Sequence, residues 1–353
     1  RAFRRGFCDS ARMPRRLPAV LAALCALAAC GDGSSPAAPP QAPPGLSARE
    51  LLDATDAIEK LLAAERTNEA VIVARKLVEK APAGGDAALK ANEVASRAYF
   101  THARLPTSRL SDDERSALLA EAAACAVRSV GEDERDAAKI GFAALLASGG
   151  GLHRDAVRLF EQALAVEPGN GGFLLQAALA AIKDGDLARA RSLIGRRRAA
   201  DPASGWNDGL AAEAALAEGD AKAAIDLAQK AVATERDRLE LRLILARALR
   251  AGGRPADAAR LLSALEPADR AKPAIAEQYA RALSESGDAP GAARAWDEAL
   301  RANPADAFLR AECAIAFHAA GDEARAAAEL ELLRAMPSAA KHLDRVGQAL
   351  RAR

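Results

Sequence analysis

Residues 171–204 read GGFLLQAALAAIKDGDLARARSLIGRRRAADPAS, and residues 205–238 read GWNDGLAAEAALAEGDAKAAIDLAQKAVATERDR. Laid one above the other, the two 34-residue stretches place Ala178 over Ala212, Gly185 over Gly219 and Ala190 over Ala224. The register runs without a gap from residue 137 onward. With Gly171 as position 1, position 15 is Gly151, Gly185, Gly219, Gly253, Gly287 and Gly321. Position 8 is alanine in all six units, from Ala144 to Ala314, and position 20 is alanine from Ala156 to Ala326. Three filled columns in one register mark a structural repeat.

Each column has a physical reading. Apolar residues recur three and four apart on both sides of the glycine, which predicts two short amphipathic helices per unit. Gly at position 15 supplies the left-handed conformation that closes the first helix. Asp186, Asp220, Asp288 and Asp322 follow it, placed to cap the second helix. The alanines at positions 8 and 20 let the two helices touch, and Phe160, Ile194, Leu262 and Trp296 at position 24 fill the space to the next hairpin. Pro168, Pro202 and Pro304 at position 32 stop the second helix.

A 34-residue period with small residues at positions 8 and 20, Gly at 15 and Pro at 32 resembles the tetratricopeptide repeat. The resemblance implies an all-α fold, a right-handed α-solenoid of about eight helical hairpins. The chain departs from the family at position 4, where Asp208, Arg242 and Arg310 replace the frequent aromatic residue, and at position 32, where Arg236 and Arg270 replace proline. The expected units are 51–84, 85–136 with about 18 extra residues near 102–119, 137–170, 171–204, 205–238, 239–272, 273–306 and 307–338, with a closing helix in 339–353. Ala70, Ala74, Leu77 and Pro82 put the first unit in frame. Ser47 with Glu50 and Ser111 with Glu114 have capping-box spacing, so the second helix of the expanded unit is expected to start early.

Upstream, Met13-Pro14-Arg15-Arg16 reads as a start, with residues 1–12 an upstream over-translation. Leu17–Ala28 is an apolar run of 12 residues, too short to span a bilayer and suited to the core of a signal peptide over 13–29. Leu27-Ala28-Ala29-Cys30 resembles the lipobox of bacterial lipoproteins, which implies acylation of Cys30 and cleavage before it; an ordinary cleaved signal is the alternative. Gly31 after the cysteine resembles lipoproteins passed on to the outer membrane. Residues 30–46 are rich in Pro, Gly and Ser and read as a tether, whose fifteen residues from 31 to 45 reach roughly 45 Å when extended.

Half the residues are apolar but only 3% are aromatic, so the chain is built for many thin interfaces and not one thick core. Beyond residue 29 there are 43 basic and 47 acidic residues, a balance that offers no general attraction for nucleic acid. His102, His153, His318 and His342 lack metal-ligand spacing, and His153 and His318 read as exposed polar residues. Ser148-Gly149-Gly150-Gly151 carries no lysine and reads as a helix stop. Cys125 and Cys313 lie too many repeats apart to pair. No catalytic constellation, metal site, cofactor or small-molecule substrate is expected, and 51–351 leaves no room for a catalytic domain.

In the family the first helix of each hairpin lines the concave face through positions 2, 5, 6, 9, 12 and 13. The resemblance therefore implies a groove with two zones. One is apolar, with Phe142, Leu145, Leu175, Leu179, Ile182 and Trp206, and with Gly141 and Gly209 leaving space. The other is an arginine-rich shelf with Arg247, Arg250, Glu277, Gln278 and Arg281. Phe142 and Trp206 fall outside the filled core columns and are the strongest candidates for a partner contact; the leucines could equally pack between hairpins. Such a groove suits a protein or peptide segment with an apolar part and an acidic part. The leading expectation is a lipid-anchored, non-enzymatic scaffold of the bacterial envelope, on the outer membrane facing the periplasm. A soluble periplasmic adaptor, or an accessory subunit of a pilus, outer-membrane-assembly or polysaccharide-export machine, is the alternative. A cytoplasmic co-chaperone that grips C-terminal carboxylates is disfavoured, because the positions needing Lys and Asn hold Thr55, Leu89, Gly141 and Leu175.

Overall fold

The repeat dictates helix, stop, helix, stop, and the computed structural model, which describes residues 46–81, 84–105, 108, 110–336 and 339–351, follows that order. All its regular elements are helices: α1 Ala48–Ala63, α2 Thr67–Lys80, α3 Asp86–Arg104, α4 Asp112–Arg128, α5 Ala137–Gly149, α6 His153–Val166, α7 Gly171–Asp184, α8 Leu187–Ala200, α9 Trp206–Glu218, α10 Ala221–Thr234, α11 Leu239–Ala251, α12 Pro255–Ser263, α13 Pro267–Arg270, α14 Pro273–Glu285, α15 Ala289–Ala302, α16 Ala307–Ala319, α17 Glu323–Arg334 and α18 Ala340–Ala349. Cys30, the signal and lipobox residues, nearly all of the tether and Pro82 lie outside the described residues.

The twelve alanines at positions 8 and 20 are each at most 3% exposed, which is the close helix contact their size permits. Phe160, Ile194, Leu262 and Trp296 are buried between successive hairpins. The six glycines at position 15 take φ between 71° and 87°, a region that costs an L side chain about 1–2 kcal/mol. Asp186, Asp220, Asp288 and Asp322 each accept the backbone N–H three residues on, capping α8, α10, α15 and α17. Both capping boxes form, at Ser47/Glu50 and Ser111/Glu114, and serine hydrogen bonds hold the two carboxyls below the usual range.

Irregularities have local causes. In the first hairpin Glu65 stands at position 15 and adopts the left-handed conformation at φ 58°, without glycine's freedom. In the expanded unit about half of the extra residues lengthen helices: α3 has 19 residues and α4 has 17, against 13 and 14 in α5 and α6. The apolar spacing of α3 runs on through the buried Ala98, Tyr99 and Ala103 and carries the helix past its usual stop. Where Arg270 replaces proline at position 32, the second helix ends early instead. α12 has nine residues, and Pro267 opens the short α13 four residues later.

First helices also touch the first helices of neighbouring hairpins, as in α1–α3, α5–α7, α7–α9, α9–α11 and α11–α14; among second helices only α4 and α6 come comparably close. The first helices therefore lie on the inside of the curve. The apolar core divides along the stack, and one division falls within α9, whose Leu210 and Ala214 belong with α5–α8 while Ala212 and Ala215 belong with α10–α12. The α8–α9 junction is partly polar. Buried Arg197 donates to the side chains of Asn207 (2.7 Å) and Ser204 (3.1 Å), and burial lowers its pKa.

Candidate interaction face on the first helices

Position 6 and position 9 of one helix are adjacent on a turn, so Phe142 and Leu145 share a face of α5. Phe142 is 42% exposed and Leu145 47%; Leu52, Ile72, Val166 and Leu332 are the other exposed large apolar side chains among the described residues, and none of them shares a helix with a second one except this pair. Phe142 is not isolated. Its ring meets the half-buried Phe100 of α3 edge-to-face, with centroids 6.2 Å apart, and the Arg104 guanidinium lies 5.5 Å from the centre of the Phe100 ring. Phe100 and Arg104 were not among the candidates. They fall at positions 16 and 20 of the second unit, where the repeat frame has already ended the first helix, and the signal that finds them is the apolar spacing of α3, followed through instead of the 34-residue frame.

The remaining apolar candidates are shared with the core. Leu175, Leu179 and Ile182 are half-buried against the cluster that contains Leu159, Phe160 and Leu174. Trp206 does not stand clear of the core as expected; it is half-buried against the cluster of Leu241 and Ile244, because it opens α9 directly beneath the next hairpin. Gly141 and Gly209 do not leave room for a ligand. A Cβ on Gly141 would lie 2.4 Å from the Phe173 ring and one on Gly209 2.6 Å from Leu241, so each glycine receives a large side chain from position 3 of the next hairpin.

The basic shelf is a ladder of ion pairs. Arg247 binds Glu213, its counterpart at position 9 of the preceding hairpin, at 2.6 Å. Arg250 donates to Glu285 of the following hairpin at 2.9 Å and also meets Gln278, and Arg281 pairs with Glu277 at 2.9 Å on its own helix. The arginines expected to hold an acidic segment are thus already matched with carboxylates. Toward the other end of the same face, Glu59, Lys90, Glu93, Arg97, Lys139 and Glu134 form a second ion-pair network, with Arg97–Glu59 at 2.8 Å and Lys139–Glu134 at 2.7 Å. The Glu134 hydrogen bond raises the Lys139 pKa and lowers that of Glu134. Phe142 and Leu145 follow Lys139 of this network in the chain and precede Glu213 of the ladder.

The titratable groups elsewhere are structural. Cys125 and Cys313 are free and buried, and burial pushes the Cys313 thiol up to about 12, far from a nucleophile's range. His102 shares a 2.9 Å hydrogen bond with Thr67. Contrary to expectation His318 is not exposed: its side chain is 12% accessible and lies 2.8 Å from Glu323, because it occupies the last turn of α16 over the start of α17. His342 is buried against Phe308. Among the described residues no group of three or more His, Cys, Asp or Glu is arranged to hold a metal, and no helix is long and apolar enough to cross a membrane.

Comparison with known proteins agrees with the repeat reading. The tetratricopeptide repeat family model matches residues 149–212 and 215–282. No curated protein matches the chain. Among solved structures, the chain is similar to TTC0263, a thermophilic tetratricopeptide repeat protein of Thermus thermophilus, at 22% identity over 51% of this chain and 98% of that one (TM-score 0.44). It is similar to PilF of Pseudomonas aeruginosa at 14% identity over 62% and 99% of the two chains (TM-score 0.45). PilW, described as a widely conserved type IV pilus biogenesis factor, aligns at 16% identity over 60% and 99% (TM-score 0.49). Residues 149–212 and 215–282 thus match tetratricopeptide repeats.

Proposed function

We propose that this chain is a non-enzymatic scaffold that holds a partner protein segment against the inner face of its solenoid, with Phe142 and Leu145 as the anchoring contacts. The observation that supports this most is the pair of exposed large apolar side chains on α5, backed by the Phe100 ring. An edge-to-face aromatic pair presents a rigid apolar surface at small entropic cost, and aromatic residues including Phe are enriched at interfaces. The arginines of the shelf, already matched with carboxylates, disfavour a strongly acidic segment. The scaffold is carried on the outer membrane, facing the periplasm, by a lipid on Cys30; the Leu27-Ala28-Ala29-Cys30 sequence supports this part.

The two parts separate experimentally. Affinity isolation from native cells should recover a partner with the unaltered protein and with Arg247→Ala, and lose it with Phe142→Asp. Recovery undiminished by Phe142→Asp would place the binding surface elsewhere. Labelling with a radioactive fatty acid should mark the unaltered protein and not Cys30→Ser, and an unlabelled wild type would remove the anchor.

A further inference from the structure

The insertion that expands the second hairpin has a destination. α3 runs on to Arg104, and α4 starts at Asp112. Counted back from residue 136, position 20 is the buried Ala122, and position 17, where α6, α8, α10 and α15 begin, is residue 119. α4 therefore begins seven residues, about two turns or 10 Å, ahead of its register. This overhang is a built element. Ala103 is buried within it, Arg115 donates to the Ala103 carbonyl, and the Ser111/Glu114 capping box fixes its first turn. At its tip Asp113 lies 3.8 Å from Lys341, in the first turn of α18. Six hairpins stand between the two in the chain, from α5–α6 to α16–α17. Elsewhere the helices that pack together belong to one hairpin or to adjacent ones, and ion pairs such as Arg75–Glu121, Arg247–Glu213 and Arg345–Glu312 have the same short reach. The curve of the stack thus returns on itself, and the overhang is what bridges the gap.

We propose that the expanded second hairpin and α18 form a reversible clasp, which closes the solenoid into a full turn and opens to admit a partner segment to the inner face from the side. The joins within the molecule differ in kind. Successive hairpins meet over buried Leu and Ala side chains, out of reach of salt. Asp113 and Lys341 are 77% and 44% exposed, so their attraction is modest and screened by salt. The seam is therefore where the turn parts first. Parting breaks no contact between successive hairpins, because a small rotation shared among the six intervening ones sums to a wide gap at the ends of the curve. The charges suit a seam: α4 opens on the acidic run Asp112-Asp113-Glu114, whereas the first turn of α18 holds Lys341 and no acidic residue. Entry of a partner rests on the inner face as its seat; the clasp itself does not.

A carbodiimide, which couples a carboxylate to an amine in contact with it, tests the seam in the full chain. Asp269 and Lys272, three residues apart in the chain and 2.7 Å apart in space, serve as the reference pair. Mass spectrometry should find an Asp113–Lys341 adduct within one chain, at a yield that does not change on tenfold dilution. In 1 M salt that yield should fall roughly threefold or more relative to the reference. No adduct where the reference couples, or one whose yield grows with protein concentration, overturns the closed turn. A yield indifferent to salt makes the seam a fixed closure and overturns the clasp. Entry is tested with the chain coupled beforehand. It should recover several-fold less partner from native extracts than Lys341→Arg treated in the same way, since a guanidinium keeps the charge but does not couple. Equal recovery from the two overturns entry through the seam. Failure of the untreated chain to recover any partner counts against the inner-face scaffold, while the adduct still decides the clasp.

Discussion

Two stretches of the same face, built on the same repeat, are finished differently. Around α5 the outward positions carry Phe142 and Leu145, large, apolar and nearly half exposed. From α9 to α14 the corresponding positions carry Glu213, Arg247 and Arg281, and each of these is joined to an opposite charge. The scaffold columns beneath are alike in both places: Ala178 and Ala246 are both 0% exposed. The difference teaches which residues serve the stack and which are left over. A charged residue in this face finds a partner on an adjacent hairpin, as Glu213 and Arg247 do, or one turn away on its own helix, as Arg281 does with Glu277. An aromatic residue there gains only partial cover from its neighbour, and its remaining surface is available to another protein.

The largest effect expected is one that ignores the contrast. Ala178→Leu in α7 and Ala246→Leu in α11 each push three extra heavy atoms into a closed helix contact and should each cost roughly 1–3 kcal/mol in chemical denaturation. Loss at only one of them would show that the two stretches do not share a register.

Next in size is the distinction within the apolar set. Trp206→Ala removes a half-buried ring from the core and should cost on the order of 1–2 kcal/mol. Phe142→Ala should cost less, about 0.5–1 kcal/mol, because the residue is 42% exposed and lies at the edge of the packing. Equal losses in thermal or denaturant unfolding would make Phe142 a core residue and erase the patch. Smaller still, Arg247→Ala should cost under about 1 kcal/mol, and that loss should fade in 1 M salt, where the Debye length falls to about 3 Å. A salt-independent loss would mean that the Arg247 stem, and not its charge, supports the junction.

The period, the left-handed glycines, the aspartate caps and the alanine contacts were legible in the sequence because each depends on neighbours within one or two turns. The site was legible only in part. Phe142 and Leu145 follow from position alone, whereas Phe100 and Arg104 lie on the extension of α3 past position 15, where the frame places a turn. The closure of Gly141 by Phe173 and of Gly209 by Leu241 required knowing how far one hairpin leans on the next. The Arg247–Glu213 pair could have been read as two opposite charges in one column, one repeat apart. The early end of α12 goes with Pro267, three positions before the proline column of the repeat.

A photo-cross-linking amino acid placed at Phe142, at Leu145 and at Arg247 in turn, in the native cell, reads the contrast between the two stretches. The expected result is a discrete adduct from positions 142 and 145, of the same added mass, and little or none from 247. Adducts from 247 alone, or none from 142 and 145 when the protein is folded and abundant, would contradict a partner seated on the apolar stretch of the inner face.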